Sequence, residues 1–313
     1  MKLRSLPLLL SALLLGPAVV AQSEKAFIAA GDSLLAIDRP QKAMAQFDKA
    51  VEQFPSANSF SARARGWYVM DRLDRFLLDV DHALKLDSLH IEANYQRAVY
   101  AFRSEDNYLT EQLSDRALDH GAATPLREKL LILRGEARAA MKKNALAITD
   151  LREGLGDRTD DLAALKTLAR LYDASGDHAA SLGVLEKLCA VEAEEIGNWT
   201  NRGYELAELG RYEEALQVYE QALSMDKDEP TALSNRAYAL LQLGREAEAL
   251  TDVERSLKAY PANPYALRTR ALLRLRKGER DKACSDLSLA KILGDVPQVD
   301  ELIKEHCDGG TQR

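Results

Sequence analysis

The chain has 313 residues, of which 46% are apolar, 29% are charged and only 6% are aromatic. Its three cysteines are too few for a disulfide-rich scaffold, and its low aromatic content disfavours a β-sandwich. The formal net charge of −7 argues against a non-specific nucleic-acid binder, because such a protein needs a basic surface to neutralise phosphates.

Residues 1–21 have the features of a secretory signal peptide. Lys2 and Arg4 precede an apolar run from Leu6 to Leu15, and a segment of small residues, GPAVVA, follows it. The pattern predicts cleavage after Ala21 and a periplasmic or secreted mature protein. A membrane anchor is the alternative, but the apolar stretch is shorter than the roughly 20 residues that a spanning helix needs, so we expect no membrane span after signal removal.

From Glu24 onward the sequence repeats one pattern about every 34 residues. Apolar or small residues recur at repeat positions 4, 8 and 11 and again at positions 20, 24 and 27, which places each set on one face of a helix. A turn falls between the two sets, so each unit is predicted to be a helical hairpin. The predicted units are residues 24–56, 57–90, 91–124, 128–161, 162–195, 196–229, 230–263 and 264–297.

The second and third units depart from the pattern. Phe76 stands at position 20 of the second unit, where a small residue is expected, so that hairpin is predicted to open slightly or shift its register. The third unit has Thr110 and Ser114 at positions 20 and 24 and is assigned as a repeat on its period alone.

The sixth and seventh units are the clearest pair. Gly210 and Gly244 mark their turns, and small residues at positions 8 and 20 let two antiparallel helices approach closely. One hairpin cannot bury its apolar sides alone, so neighbouring hairpins are expected to stack. The matching residues are Trp199, Gly203, Leu206, Gly210, Ala215, Tyr219 and Ala222 in one unit and Leu233, Ala237, Leu240, Gly244, Ala249, Val253 and Ser256 in the next.

A short amphipathic segment follows the eighth unit. Residues 298–307 place Val299, Leu302 and Ile303 on one helical face, which predicts a helix that caps the last repeat. Residues 308–313 are polar and contain glycine, so they are predicted to be a disordered tail.

This repeat resembles the tetratricopeptide repeat, with its Trp, Leu, Gly, Tyr and Ala positions. The resemblance implies an all-α fold: an α-solenoid, wound as a right-handed superhelix, of about eight helix-turn-helix repeats plus a C-terminal capping helix. Such repeats are scaffolds that bind other proteins, so a protein or peptide partner is implied.

In this family the first helix of each hairpin lines a concave groove. Tyrosine offers a broad apolar face, and arginine can hold a carboxylate by two parallel bonds, so the implied groove suits an extended, acidic peptide. The alternative is that these are ordinary solvated helix positions. The groove candidates are Arg65, Tyr68, Tyr95, Phe102, Arg103, Lys166, Arg170, Asn201, Tyr204, Asn235, Tyr238, Tyr265, Arg268 and Arg276.

Some members of the family hold a C-terminal carboxylate with Lys, Asn, Asn, Lys and Arg from three consecutive repeats. Units five to seven have Lys166 and Asn201 in place, but Arg170, Thr231 and Asn235 where the other three belong. That clamp is therefore not expected in these units.

Arginine recurs at position 7 of six units, and four of those units also have aspartate at position 23. The co-occurrence predicts an ion pair between the two helices of each of these hairpins, with a structural role. The predicted pairs are Arg63 with Asp79, Arg134 with Asp150, Arg236 with Asp252, and Arg270 with Asp286.

Cys284 faces whatever packs on the last unit, and Cys307 closes the predicted capping helix. Export to an oxidising compartment would favour a disulfide between them, and the ending ACSDLSLAKILGDVPQVDELIKEHC resembles that of exported bacterial tetratricopeptide proteins. Two buried free thiols are the alternative. Cys189 is then expected to be a small core residue.

Motifs for catalysis are sparse. None of the five histidines belongs to an HExxH or CxxC-type metal spacing, and a GxGxxG, a P-loop and a GxSxG are all missing from the sequence. We therefore expect a non-catalytic scaffold without a metal or other cofactor. The alternative function is a structural subunit of an envelope assembly, docked through its convex or end surfaces.

Overall fold

The computed structural model describes residues 23–308, so the predicted signal peptide and residues 309–313 of the predicted tail lie outside the described residues. Seventeen α-helices and no β-strand occupy the described range. None of these helices is long and apolar enough to span a membrane. The helices are α1 Glu24–Ala36, α2 Pro40–Gln53, α3 Ala57–Val69, α4 Leu73–Leu86, α5 Ile91–Arg103, α6 Asn107–Asp119, α7 Leu126–Ala140, α8 Asn144–Leu155, α9 Leu162–Ala174, α10 His178–Val191, α11 Ile196–Glu208, α12 Tyr212–Met225, α13 Pro230–Gln242, α14 Glu246–Ala259, α15 Pro264–Arg276, α16 Arg280–Leu293 and α17 Val299–His306.

The prediction of an all-α chain of helical repeats is confirmed. The right-handed course of the superhelix stays a prediction. By its contacts the chain divides into two compact units: one ends at Ala101 and includes Arg116–Ala122, and the other contains Phe102–Asp115 and everything from Ala123 onward. We call these the N-terminal and C-terminal units and describe each by itself.

The large residue at position 24 packs directly against the small residue at position 8. A Cβ atom on Gly31 would lie 2.3 Å from the Phe47 ring, and one on Gly203 would lie 2.4 Å from the Tyr219 ring. Both aromatic residues have no exposed surface. The two helices of a hairpin therefore approach closely because one of them carries no side chain at the contact.

The expected register shift at Phe76 is wrong. Helix α4 covers positions 17 to 30 of its unit, as α12 does in the sixth unit. Phe76 is 2% exposed and packs with Ala64 and Val80. Position 24 of this unit is Val80, which is smaller than the aromatic residues Phe47 and Tyr219 at position 24 of the first and sixth units. The Phe76 ring therefore occupies volume that those aromatic rings fill in the other two hairpins.

Position 15 of every hairpin has a left-handed backbone, whatever residue occupies it. Glycine has this conformation at Gly176, Gly210, Gly244 and Gly278 in the last four hairpins, with φ between 73° and 78°. The first four hairpins use side-chain-bearing residues instead, namely Asp38, Asp71, Glu105 and Lys142, with φ between 53° and 60°. These residues carry a steric cost that glycine avoids.

We therefore expect Lys142→Gly to stabilise the chain by about 1 kcal/mol, because glycine relieves the strained conformation at a helix C-terminus. Urea denaturation of both proteins measures the difference. Lys129→Gly is the matched control: this exposed lysine lies inside α7, where glycine should instead destabilise by about 1 kcal/mol. Equal destabilisation by both substitutions would contradict the explanation.

All four predicted arginine–aspartate pairs are confirmed. In each, Nε and Nη2 of the arginine donate to the two carboxylate oxygens of the aspartate, over distances of 2.6 to 2.9 Å. The aspartates are 2% to 6% exposed. Each pair joins the first helix of a hairpin to the second, because positions 7 and 23 face each other across the hairpin.

A second set of ion pairs, which the sequence pattern did not predict, joins consecutive hairpins. Arg97 and Arg202, whose hairpins lack aspartate at position 23, contact Asp81 and Glu186 at position 25 of the preceding hairpin, at 3.2 and 3.3 Å. Arg134 likewise contacts Asp115 at 2.6 Å. An acid at position 25 is therefore a recurrent link to the arginine of the next repeat.

The short helix α17 packs on α16. Val299, and Val296 just before the helix, are buried against Leu287 and Ala290 of α16. The structure joins Cys284 and Cys307 by a disulfide, which ties the end of α17 to α16. Cys189 is a buried free thiol, and burial raises its pKa to about 11. At neutral pH that thiol is therefore protonated and unreactive.

Candidate functional site

Two neighbouring clefts lie along the first helices of the last four hairpins, within the C-terminal unit. The first cleft, of about 290 Å³, lies between α9 and α11. Four predicted groove residues line it, and Leu185 and Leu188 of α10 provide apolar surface beneath them. The four are Lys166, Arg170, Asn201 and Tyr204.

The second cleft, of about 100 Å³, is lined by residues of α11, α13 and α15, by Tyr219 of α12, and by Pro297 and Gln298 just before α17. It contains five predicted groove residues: Tyr204, Asn235, Tyr238, Tyr265 and Arg268. Tyr204 belongs to both clefts. Burial, reinforced by the nearby charge of Glu208, raises the pKa of its phenol, so Tyr204 stays neutral at physiological pH.

Arg268 is the buried cation of the second cleft. Its guanidinium lies 4.6 Å from the ring centroid of Tyr238 and 5.8 Å from that of Tyr265, in cation–π contact with both. The residue is 8% exposed, and desolvation lowers the pKa of its guanidinium. Nη1 reaches the carbonyl oxygen of Pro297 at 3.4 Å, which is a long hydrogen bond.

One wall of the first cleft contains a buried carboxylate that the sequence analysis did not single out. Glu205 is 2% exposed; its Oε1 accepts a hydrogen bond from Ser181 Oγ at 2.7 Å, and its Oε2 lies 2.8 Å from His178 Nδ1. Desolvation raises the pKa of Glu205, although the hydrogen bonds with Ser181 and His178 act to lower it. The network links α10 to α11.

Asp173 completes a group with His178 and Glu205 whose ligand atoms all lie within 4.8 Å of one another. Such a group could offer a cation one nitrogen and two oxygens. Both oxygens of Glu205 already have partners inside the chain, so the arrangement serves as a hydrogen-bonded link between helices.

Other predicted groove residues lie away from these two clefts, and several contact acidic neighbours. Arg65 contacts Asp32 at 2.8 Å, and Arg276 contacts Glu246 at 3.1 Å. Lys166, although it lines the first cleft, also contacts Glu192 at 2.8 Å. Each of these three basic side chains is therefore already paired with a carboxylate of the same chain.

The aromatic candidates of the earlier hairpins have local roles. The Tyr68 ring packs on the Phe76 ring, with centroids 5.3 Å apart. Burial raises the pKa of Tyr95. Phe102 and Arg103 are the last two residues of α5 and belong to the C-terminal unit, but they do not line the clefts described above.

Comparison with solved structures gives only low similarity. MamA is 16% identical with a TM-score of 0.44, and the match covers 51% of this chain and 93% of MamA. The P58(IPK) TPR domain is 18% identical with a TM-score of 0.34, covering 90% and 97% of the two chains. YrrB, whose structure is described as that of a TPR protein with an unusual peptide-binding site, is 18% identical with a TM-score of 0.35, covering 72% and 97%.

No curated protein matches the sequence. Residues 200–264 match the family model for the tetratricopeptide repeat. That segment includes most of α11 and all of α12, α13 and α14, and further helical hairpins occur on both sides of it. Residues 200–264 therefore consist of tetratricopeptide repeats.

Proposed function

We propose that this chain is an exported, non-catalytic scaffold that binds an extended polypeptide along the two clefts on α9, α11, α13 and α15. One observation carries the proposal: eight of the fourteen groove residues that the family resemblance implies line two clefts that share Tyr204. Tetratricopeptide repeat folds are typical of protein–protein interaction scaffolds, and such scaffolds are generally non-catalytic. Export rests on the signal-peptide pattern of residues 1–21.

The chemistry of the clefts favours a partner with both apolar and acidic groups. Three tyrosines, Tyr204, Tyr238 and Tyr265, present large rigid surfaces that lose little side-chain entropy on binding. Arg170 and Arg268 provide positive charge on a chain that is acidic as a whole. The asparagines Asn201 and Asn235 can bond both donors and acceptors of an extended backbone.

Selection of random 12-residue peptides on the mature protein, followed by calorimetry, tests the groove. The double variant Tyr204→Ala, Tyr238→Ala should weaken binding of the selected peptides at least tenfold, because it removes the tyrosine that lines both clefts and a second tyrosine of the second cleft. The matched control is Tyr108→Ala, Tyr260→Ala, which removes two tyrosines that are 63% and 50% exposed and line neither cleft. Selected peptides that bind both double variants alike would contradict the proposal.

A further inference from the structure

The guanidinium of Arg268 has no carboxylate partner within the part of the chain that the structure describes. Arg63, Arg134, Arg236 and Arg270 each hold a buried aspartate by two hydrogen bonds, but no ion pair joins Arg268 to an acid among residues 23–308. A buried cation without an anion destabilises the folded chain. An anion that entered this cleft would remove that cost.

Three buried polar atoms of the second cleft also lack hydrogen-bond partners among the described residues. They are Nε of Arg268, Oη of Tyr219 and Oγ of Ser234, and all three residues line the same cavity of about 100 Å³. Tyr219 is 0% exposed and Ser234 is 1% exposed. Because native proteins leave few buried polar atoms unpaired, three such groups around one cavity indicate a ligand with hydrogen-bond acceptors.

The hydroxyl of Tyr219 is not needed for packing. Its ring lies against Gly203 as the Phe47 ring lies against Gly31 in the first hairpin, so phenylalanine suffices at this repeat position. Tyrosine at this position adds a buried polar atom, and Tyr219 is one of the residues that line the cleft. The structure therefore carries a buried hydroxyl whose hydrogen bond no described residue satisfies.

The surroundings of Arg268 favour a singly charged anion. The rings of Tyr238 and Tyr265 lie against the guanidinium and Nη1 reaches Pro297, which leaves the edge that carries Nε for a ligand and suits the parallel bonds of a carboxylate. Glu208 is the carboxylate in the cleft lining; it is exposed and forms no ion pair with Arg268 among the described residues, although its charge acts to raise the pKa of Arg268 against the effect of burial. The cavity is about three times the volume that one water molecule occupies in the liquid, enough for a carboxylate and a short stem.

We propose that Arg268, Tyr219 and Ser234 form a carboxylate subsite that receives one carboxylate of the bound polypeptide. The carboxylate comes from an acidic side chain or from the chain terminus. This inference rests on the proposed function and adds to that groove a specific binding site for one carboxylate of the partner. None of its three residues is among Lys166, Arg170, Asn201, Thr231 and Asn235, which stand at the clamp positions of units five to seven.

The test is a titration of ¹⁵N-labelled mature protein at constant ionic strength, observed at arginine Nε–H resonances by NMR. Sodium acetate should shift the Arg268 signal, identified by its loss in Arg268→Met, and the shift should saturate, whereas sodium chloride should not produce it. N-acetylglutamic acid α-amide carries only a side-chain carboxylate, N-acetyl-leucine only a terminal one, and N-acetyl-leucine amide neither. If N-acetylglutamic acid α-amide binds more tightly, the bound carboxylate comes from an acidic side chain; if N-acetyl-leucine binds more tightly, it comes from a chain terminus. N-acetyl-leucine amide should not bind.

Two variants separate binding from folding. Tyr219→Phe keeps the core ring and should weaken carboxylate binding about tenfold, because it removes one hydrogen bond to a charged group. Tyr212→Phe is the matched control, since this partly buried tyrosine does not line the cleft and its loss should leave the affinity unchanged. Arg268→Met should keep or raise the thermal midpoint while abolishing the stabilisation that acetate gives the parent.

Identical shifts with acetate and chloride, or a Tyr219→Phe variant that binds like the parent, would overturn the subsite. The proposed groove and the proposed carboxylate subsite can be contradicted independently of each other. If selected peptides bind the parent and Arg268→Met equally while acetate does not bind, the subsite is wrong and the groove stands. If acetate binds through Arg268 but no peptide depends on Tyr204 and Tyr238, the groove is wrong and the cleft binds only small carboxylates.

Discussion

Asp252→Ala is expected to lower the free energy of unfolding by about 3 kcal/mol or more, because it leaves the Arg236 guanidinium without its buried partner. Asp252 is 3% exposed and accepts two hydrogen bonds from Arg236, at 2.6 and 2.8 Å. The hydrogen bonds with Asp252 are the main reason that the pKa of Arg236 is raised. Urea denaturation, followed by circular dichroism, measures the loss.

Glu254→Ala is the matched control for Asp252→Ala, since Glu254 lies two residues along the same helix and is exposed. We expect it to change the free energy of unfolding by less than about 0.5 kcal/mol. Arg236 and Asp252 do not line the two clefts, so folded Asp252→Ala protein should bind groove peptides with the parent affinity. A variant as stable as the parent would show that the pair is not structural.

Gly203→Ala should destabilise the chain by about 3 kcal/mol. The new methyl group would lie 2.4 to 2.8 Å from three atoms of the Tyr219 ring, which is fully buried and cannot move without displacing its neighbours. Overpacking of this kind forces side chains from their preferred rotamers. Thermal and urea denaturation report the cost, and the displaced Tyr219 hydroxyl should also weaken acetate binding.

Gly183→Ala makes the same chemical change as Gly203→Ala, but we expect it to stabilise the chain. Gly183 lies inside α10, is exposed, and has nothing within 4 Å of the position that a Cβ atom would occupy. Alanine has the higher helix propensity, so we expect a gain of up to about 1 kcal/mol. Similar losses from both substitutions would mean that the contact with Tyr219 does not explain the requirement for glycine at position 203.

The candidate site could be predicted only in part from the sequence. The resemblance to the tetratricopeptide repeat, which implies a groove along the first helices, selected Tyr204, Tyr238 and Arg268. The sequence could not show that Arg65 contacts Asp32 or that Arg276 contacts Glu246, because each partner comes from a different hairpin. It also missed the link between His178 and Glu205, whose residues belong to consecutive units and stand at unrelated repeat positions.

The sequence by itself determined the hairpins and the links inside them. A fixed spacing places positions 7 and 23 in contact, so the pair of Arg236 with Asp252 follows from local geometry. The pattern predicted close approach at the small residues of positions 8 and 20, and the structure shows that Tyr219 at position 24 packs on Gly203. Only the tertiary structure decided which charges remain without partners. Whether a buried group such as Arg268 or the Tyr219 hydroxyl is satisfied depends on every neighbour that packs around it, and the cleft that these groups line is formed by α11, α12, α13, α15 and the residues just before α17 together.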